Sequence, residues 1–237
     1  MATTNKRNPL KWPLTCKAGI MTVLLYIVFL LIAWVLFPNP ATPLDHWLSD
    51  FGRMYVPANG SPVWDPHTGK LYSGASQYNP GGIWYDLGCI LGGIALFPFF
   101  AGLLKYKDEG ESESQKKKIK ILTYLLVILG FGSALSLIMV GIFYEDFGGG
   151  YSQVHHLWTM ILFVLFLPIM GIMGFWAWLL KFKRFTSIYG WGIMIFDAIV
   201  IFTNNNLAIA EWIAVFSALG LVAMLVIGVY SKEFAQK

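Results

Sequence analysis

The chain has 237 residues, 57% of them hydrophobic and only 13% charged, which excludes a soluble domain on a single anchor. Its net charge of +4 would suit nucleic acid in a soluble protein. Here the basic residues lie at the ends of apolar runs, where they orient the chain and meet lipid headgroups, so nucleic-acid binding is set aside.

Six apolar runs follow one another, over about 18–37, 81–104, 119–143, 157–180, 186–203 and 207–230. Each is close to the roughly 17–25 residues a helix needs to cross a hydrocarbon core about 30 Å thick. The expected fold is an all-α integral membrane bundle of six transmembrane helices, one domain over residues 1–237, with a small β-hairpin in the first outer loop. The first run follows a basic segment but is longer than the apolar part of a cleaved signal. Trp34 and Pro38 replace a small-x-small cleavage site, so it reads as a retained signal-anchor. Of the 17 Lys and Arg residues, all but Arg53 and Lys70 fall on one side of the six-span pattern. The positive-inside rule then puts that side, with both termini, in the cytoplasm of a cell-membrane protein.

The outer loop from Pro38 to about Pro80 is the one extramembrane segment long enough to fold. Within it, Pro62 to Tyr72 reads as a hairpin: Asp65-Pro66 opens a turn, Gly69 closes it, and β-formers flank both sides. The inner loop from Lys107 to Lys118 has no apolar residue and reads as a solvated, mobile connection. Gly88, Gly92 and Gly93 in the second span, Gly130, Gly132, Ser133 and Ser136 in the third, and Gly171 and Gly174 in the fourth are close-packing positions, read as intrachain. Pro98 and Pro168 are expected to kink their spans. Cys16 and Cys89 are too far apart for a disulfide and read as packing residues.

The acids are distributed in the opposite sense. Asp45, Asp50, Asp65, Asp86, Glu145, Asp146, Asp197 and Glu211 map to the outer half, as do all four histidines, His46, His67, His155 and His156. Asp86, Asp197 and Glu211 fall inside spans, roughly 6–9 Å below the outer boundary at 1.5 Å per residue. A charged carboxylate near a helix centre costs about 2.5–3.5 kcal/mol, and no Lys or Arg lies in any span to offset it. Grouping the three in one outer-leaflet pocket lets them share water and protons. That predicts a ligand pocket of Asp86, Asp197 and Glu211, with His155 or His156 at its rim and Asp50 and Arg53 nearby. Arg53 is expected to be the counter-ion, with Asp50 or a membrane acid as its partner.

Glu145, Asp146, His155 and His156 carry the donor types of a divalent metal site. Adjacent histidines on a helix point about 100° apart, so at most one faces inward, and the spacing matches no established ligand motif. No metal is therefore assigned. No nucleotide loop, haem signature or nucleophile elbow is present, and no cofactor is expected.

Four short patterns carry a resemblance: Leu48-Ser49-Asp50-Phe51-Gly52; Asn79-Pro80-Gly81-Gly82 running into Gly88 and Gly92; Val140 to Asp146 followed by His155-His156; and Ala208-Ile209-Ala210-Glu211-Trp212. Together they resemble a prokaryotic six-span family known as domain of unknown function nine-nine-eight, and more remotely the DRAM, Sfk and Frag-type membrane proteins. The first loop here is longer and the histidine is doubled. The resemblance implies a lipid-associated multi-pass protein and supplies no reaction. The function expected is lipid binding or membrane organisation through the acidic outer pocket. The alternatives are a membrane-embedded lipid-modifying enzyme using the outer Asp, Glu and His residues, or a proton- or cation-coupled transporter. Membrane lipids are the expected partners, and a homo-oligomer or a larger membrane complex stays open.

Overall fold

The computed structural model describes residues 8–65, 70–149, 152–203 and 207–235. Six helices are long and apolar enough to cross a membrane. They are α1 (Leu14–Leu36), α2 (Gly82–Gly102), α3 (Glu113–Ile142), α4 (Gln153–Leu179), α5 (Arg184–Phe202) and α6 (Ala208–Ala235). The chain is an all-α multi-pass membrane protein.

Several helices start before their apolar runs, because a polar first turn outside the hydrocarbon can still be helical when it is capped. The Ser112 hydroxyl accepts the Gln115 N–H at 3.2 Å and starts α3 at Glu113. Ser152 does the same for the His155 N–H at 3.2 Å and starts α4. Pro98 and Pro168 each sit within a single continuous helix.

From α1 to α5 each helix packs on the next, as short connections between antiparallel helices favour. Helix α6 closes the bundle against α1 and touches α4 and α5. The glycines serve intrachain packing. A Cβ at Gly88 would lie 2.8 Å from the Phe29 Cβ on α1, and one at Gly93 2.8 Å from the Ala134 carbonyl on α3. Gly92 is looser, at 3.8 Å from Tyr26 Cβ. Cys16 and Cys89 are both buried and free.

One end of the bundle carries the lysines and the other the acids. At the lysine-rich end the α2–α3 loop is tied down: Glu109 meets Lys232 at 3.3 Å, Asp108 meets Lys120 at 3.5 Å, and Glu111 pairs with Lys181. The connection is solvated as expected, with its acids exposed and paired to lysines. The acids scattered through the loop face lysines from helix ends, which composition alone does not reveal.

At the acid-rich end the segment between α1 and α2 folds down onto the helices. A two-stranded antiparallel sheet pairs β1 (Tyr55–Pro57) with β2 (Ser76–Tyr78) in the register Tyr55–Tyr78, Val56–Gln77, Pro57–Ser76. Beyond it an isolated antiparallel bridge joins Trp64 to Leu71, so the arms of the expected hairpin do pair. Its turn, residues 66–69 with His67, lies outside the described residues.

Candidate functional site

The centre of the acid-rich end is a 3-10 turn, Ser49–Gly52, inserted into the mouth of the bundle. Leu48 and Phe51 are fully buried. The Phe51 ring lies 4.7 Å from Phe37, 5.7 Å from Trp34 and 5.9 Å from Trp212 between centroids. This aromatic contact is what draws the loop into the bundle. It also creates a need, because a short turn pushed among helices exposes backbone N–H groups to apolar surroundings.

The acids meet that need. Glu211, in the first turn of α6, accepts the Leu48 N–H through Oε2 at 2.6 Å. Asp146 accepts the Met54 and Tyr55 N–H groups through its two oxygens, at 2.8 and 2.9 Å. Asp50 accepts the Trp47 N–H at 2.8 Å. Asn79 donates its amide to the Phe51 and Arg53 carbonyls at 3.1 and 2.8 Å and accepts the Gly81 N–H at 2.9 Å. Trp212 donates its indole N–H to the His46 carbonyl at 2.9 Å. Gly52 lets the turn touch α2, since a Cβ there would stand 2.7 Å from Asp86 Oδ1 and 2.9 Å from the Tyr85 ring.

Arg53 is buried at 6% exposure, and its ion-pair partner is Glu145, with Nη1 to Oε1 at 3.2 Å. The expected pairing with Asp50 or a membrane acid is thus corrected. The α3–α4 loop brings Glu145 over the turn, while Asp50 directs one oxygen to its own turn's N–H. Glu145 Oε1 also accepts the Trp64 indole N–H at 3.0 Å. Asp50 lies within electrostatic reach of Glu145. Burial, and then the negative charge of Glu145, push the Asp50 carboxyl well above the usual carboxylate range, against the opposing pull of the Trp47 N–H and Arg53. At the edge of the loop, Asp45 runs the other way. Burial raises it, but hydrogen bonds from His46 and Thr42 outweigh that and hold it below its ordinary value.

The predicted residues are placed as follows. Asp50 and Glu145 share Arg53, Glu211 lies within electrostatic reach of Glu145, and Asp86 sits beneath Gly52 within electrostatic reach of Asp146. His155 is buried, its Nδ1 2.7 Å from the Phe143 carbonyl, while His156, one residue on, is exposed. Asp197 stands apart on α5. It is 4% exposed, and neither oxygen has a hydrogen-bond partner among the described residues. The four residues with metal-ligand chemistry diverge: Glu145 to Arg53 and Trp64, Asp146 to backbone N–H groups, His155 to a carbonyl, His156 to the surface. Among the described residues no group of three such side chains converges.

Below the turn a narrow cavity of about 70 Å³ extends into the bundle. Glu211, Tyr85 and Thr159 lie toward its acid-rich end, and Thr22, Phe100, Met173 and Val222 line its far end. From Glu211 to Val222 it follows α6 for roughly 16 Å at 1.5 Å per residue. Its walls are almost wholly apolar, and Asp86 and Asp197 are not among its lining residues. Beyond it Trp176, Leu221 and Leu225 are fully buried.

Sequence reasoning singled out the acids but missed Asn79 as the hub between the turn and α2, and Trp64 as a donor to Glu145. Asn79-Pro80-Gly81 carries a turn signal that points to the first. No local signal points to the second.

A family described as a protein of unknown function (DUF998) matches residues 70–228. No curated protein and no solved structure matches the chain. The matched segment holds Asn79, Asp86, Glu145, Asp146, Asp197 and Glu211, whereas the turn carrying Asp50 and Arg53 precedes it. The chain belongs to the DUF998 family.

Proposed function

We propose that this member of the DUF998 family binds a membrane lipid, admitting one acyl chain into the cavity beneath the Ser49–Gly52 turn. The observation that carries this reading is the cavity itself: enclosed by side chains of α1 to α4 and α6, almost wholly apolar, and reaching from the Glu211 and Tyr85 end down to Val222. A lining with so little polar surface suits a methylene chain and not a polar headgroup. The carboxylates act mainly as anchors of the capping turn, each holding backbone N–H groups. The Thr159 hydroxyl, buried and without a partner among the described residues, is left to meet the polar end of the ligand. The cavity ends against the buried Trp176, Leu221 and Leu225, and among the described residues no charged side chain lines it beyond Glu211, which favours chain binding over proton or cation transport.

Ala218 lines the cavity. In native mass spectrometry the parent is expected to carry a co-purifying lipid, and Ala218→Phe, by filling the cavity, to lose it, at an overpacking cost of about 1–3 kcal/mol. Ile199→Phe, at an exposed apolar position on α5, is expected to keep that lipid. Equal lipid retention by both variants would refute the reading.

We infer a cell-membrane protein with its lysine-rich end and both termini in the cytoplasm; the nearly complete Lys and Arg bias supports this orientation. Ser73 and Ser112 are exposed at opposite ends, and both native cysteines are buried. In intact cells, an impermeant thiol reagent is expected to label Ser73→Cys and spare Ser112→Cys. Labelling of Ser112→Cys would reverse the orientation.

A further inference from the structure

The lysine-rich end holds a second, quite different cavity. A cleft of about 640 Å³ opens between the α2–α3 loop, the α4–α5 connection and α6. Lys181 adopts φ 59°, a left-handed conformation that reverses the chain directly after α4, so that Leu179 to Lys183 form one wall. Gln115 fixes that wall by donating to the Leu179 carbonyl at 2.7 Å. Its apolar lining includes Phe185, Met224 and Ile227, and Phe185 and Ile227 are well exposed. The rim carries Lys181, Lys183 and Lys232.

We propose that this cleft binds an anionic glycerophospholipid, its phosphate held among Lys181, Lys183 and Lys232 and an acyl chain laid along Phe185, Met224 and Ile227. The positive-inside rule accounts for lysines at this end but not for three of them lining one cleft together with Phe185, Met224 and Ile227. Basic pockets between transmembrane helices on the cytoplasmic side suit anionic headgroups. Two carboxylates share the rim. Glu109 holds Lys232 at 3.3 Å and Glu111 holds Lys181, with the glutamate side chains 44% and 72% exposed. The Lys181 pair is solvated on both sides and the Lys232 pair on its glutamate side, so each adds little and a phosphate can displace the carboxylates. Lys183 has no ion-pair partner among the described residues and is the cation already available. A free phosphate satisfies the lysines equally well; the apolar lining is what selects a lipid.

The test uses the full chain in nanodiscs of phosphatidylcholine with and without phosphatidylglycerol, reading retained lipid by native mass spectrometry. The parent is expected to retain phosphatidylglycerol in preference to phosphatidylcholine. Lys183→Gln and Lys232→Gln are each expected to weaken that preference about five-fold, the size of one near-surface lysine contact. Lys118→Gln, an exposed lysine on the same end outside the cleft, is expected to leave it unchanged. An equal loss in Lys118→Gln would reduce the effect to a diffuse field and overturn the site. Competition by millimolar inorganic phosphate in place of lipid would make it a free-anion site and overturn the lipid assignment. No preference in the parent would remove it outright. Because no residue lines both the cleft and the acyl-chain cavity, its failure and that of the cavity are separately visible.

Discussion

Arg53→Ala is expected to destabilise the protein by about 3–5 kcal/mol, the usual cost of leaving one member of a buried ion pair alone. The side chains of Arg53 and Glu145 are only 8% and 4% exposed, so water cannot replace the lost guanidinium. Asp50 and Glu211, both within electrostatic reach of Glu145, would be left with no cation among them. The turn that caps the bundle should therefore loosen first. Adding Glu145→Gln to Arg53→Ala is expected to restore part of the loss, because the stranded charge is removed and the amide oxygen can still accept from Trp64. Lys70→Ala, at an exposed position, should cost no more than about 1 kcal/mol. Unfolding midpoints of the four proteins in one detergent check this. Equal and negligible effects of Arg53→Ala and Lys70→Ala would show that the pair does not hold the cap.

Asp50→Asn is expected to change how stability depends on pH. The folded-state pKa of Asp50 is raised, by burial first and by Glu145 second. Its contribution is then fully present below the unfolded value of about 4 and is lost as pH rises through the folded value. Across that window one such group removes up to about 1.4 kcal/mol per pH unit. The asparagine cannot ionise, keeps an oxygen for the Trp47 N–H, and offers its NH2 to Glu145. Relative to the parent, Asp50→Asn should gain stability steadily as pH rises from about 4 and flatten the profile. Asp50→Ala leaves the buried Trp47 N–H without an acceptor, at about 1–3 kcal/mol, and should be less stable than Asp50→Asn at every pH. Melting curves from acid to alkaline pH separate the three chains. Parallel profiles for the parent and Asp50→Asn would mean that the carboxyl does not titrate in the folded protein as its surroundings require.

Both expectations concern contacts that bring together segments far apart in the chain, and this marks how much of the site was legible beforehand. Glu145, Asp146 and Glu211 stood out because acids at the membrane boundary are rare and need a reason. Their partners did not stand out. Leu48, Met54 and Tyr55 contribute only backbone N–H groups, which every residue has. The sequence reading placed Asp86, Asp197 and Glu211 in one layer by depth, and depth says nothing about which side of its helix a residue occupies relative to its neighbours. Glu211 therefore reaches the turn and the cavity, while Asp197 lies on α5 away from that cavity. The four patterns behind the family resemblance lie far apart in sequence, yet residues of each meet at the capping turn: Leu48 to Gly52, Asn79, Glu145 with Asp146, and Glu211 with Trp212.

Six spans, their approximate limits and the segregation of charge followed from the chain alone. Hydropathy acts residue by residue over windows about as long as a helix, and the transfer of each window into hydrocarbon depends little on its neighbours. Helix order and close approach at Gly88 and Gly93 were nearly as accessible, since short connections force adjacent spans together. Only the tertiary structure decided that the Ser49–Gly52 turn enters the bundle, that Arg53 pairs with Glu145 rather than Asp50, and that a narrow cavity lies beneath. A buried carboxylate takes whichever donor the fold presents within about 3 Å, and that depends on the relative placement of three or four segments at once.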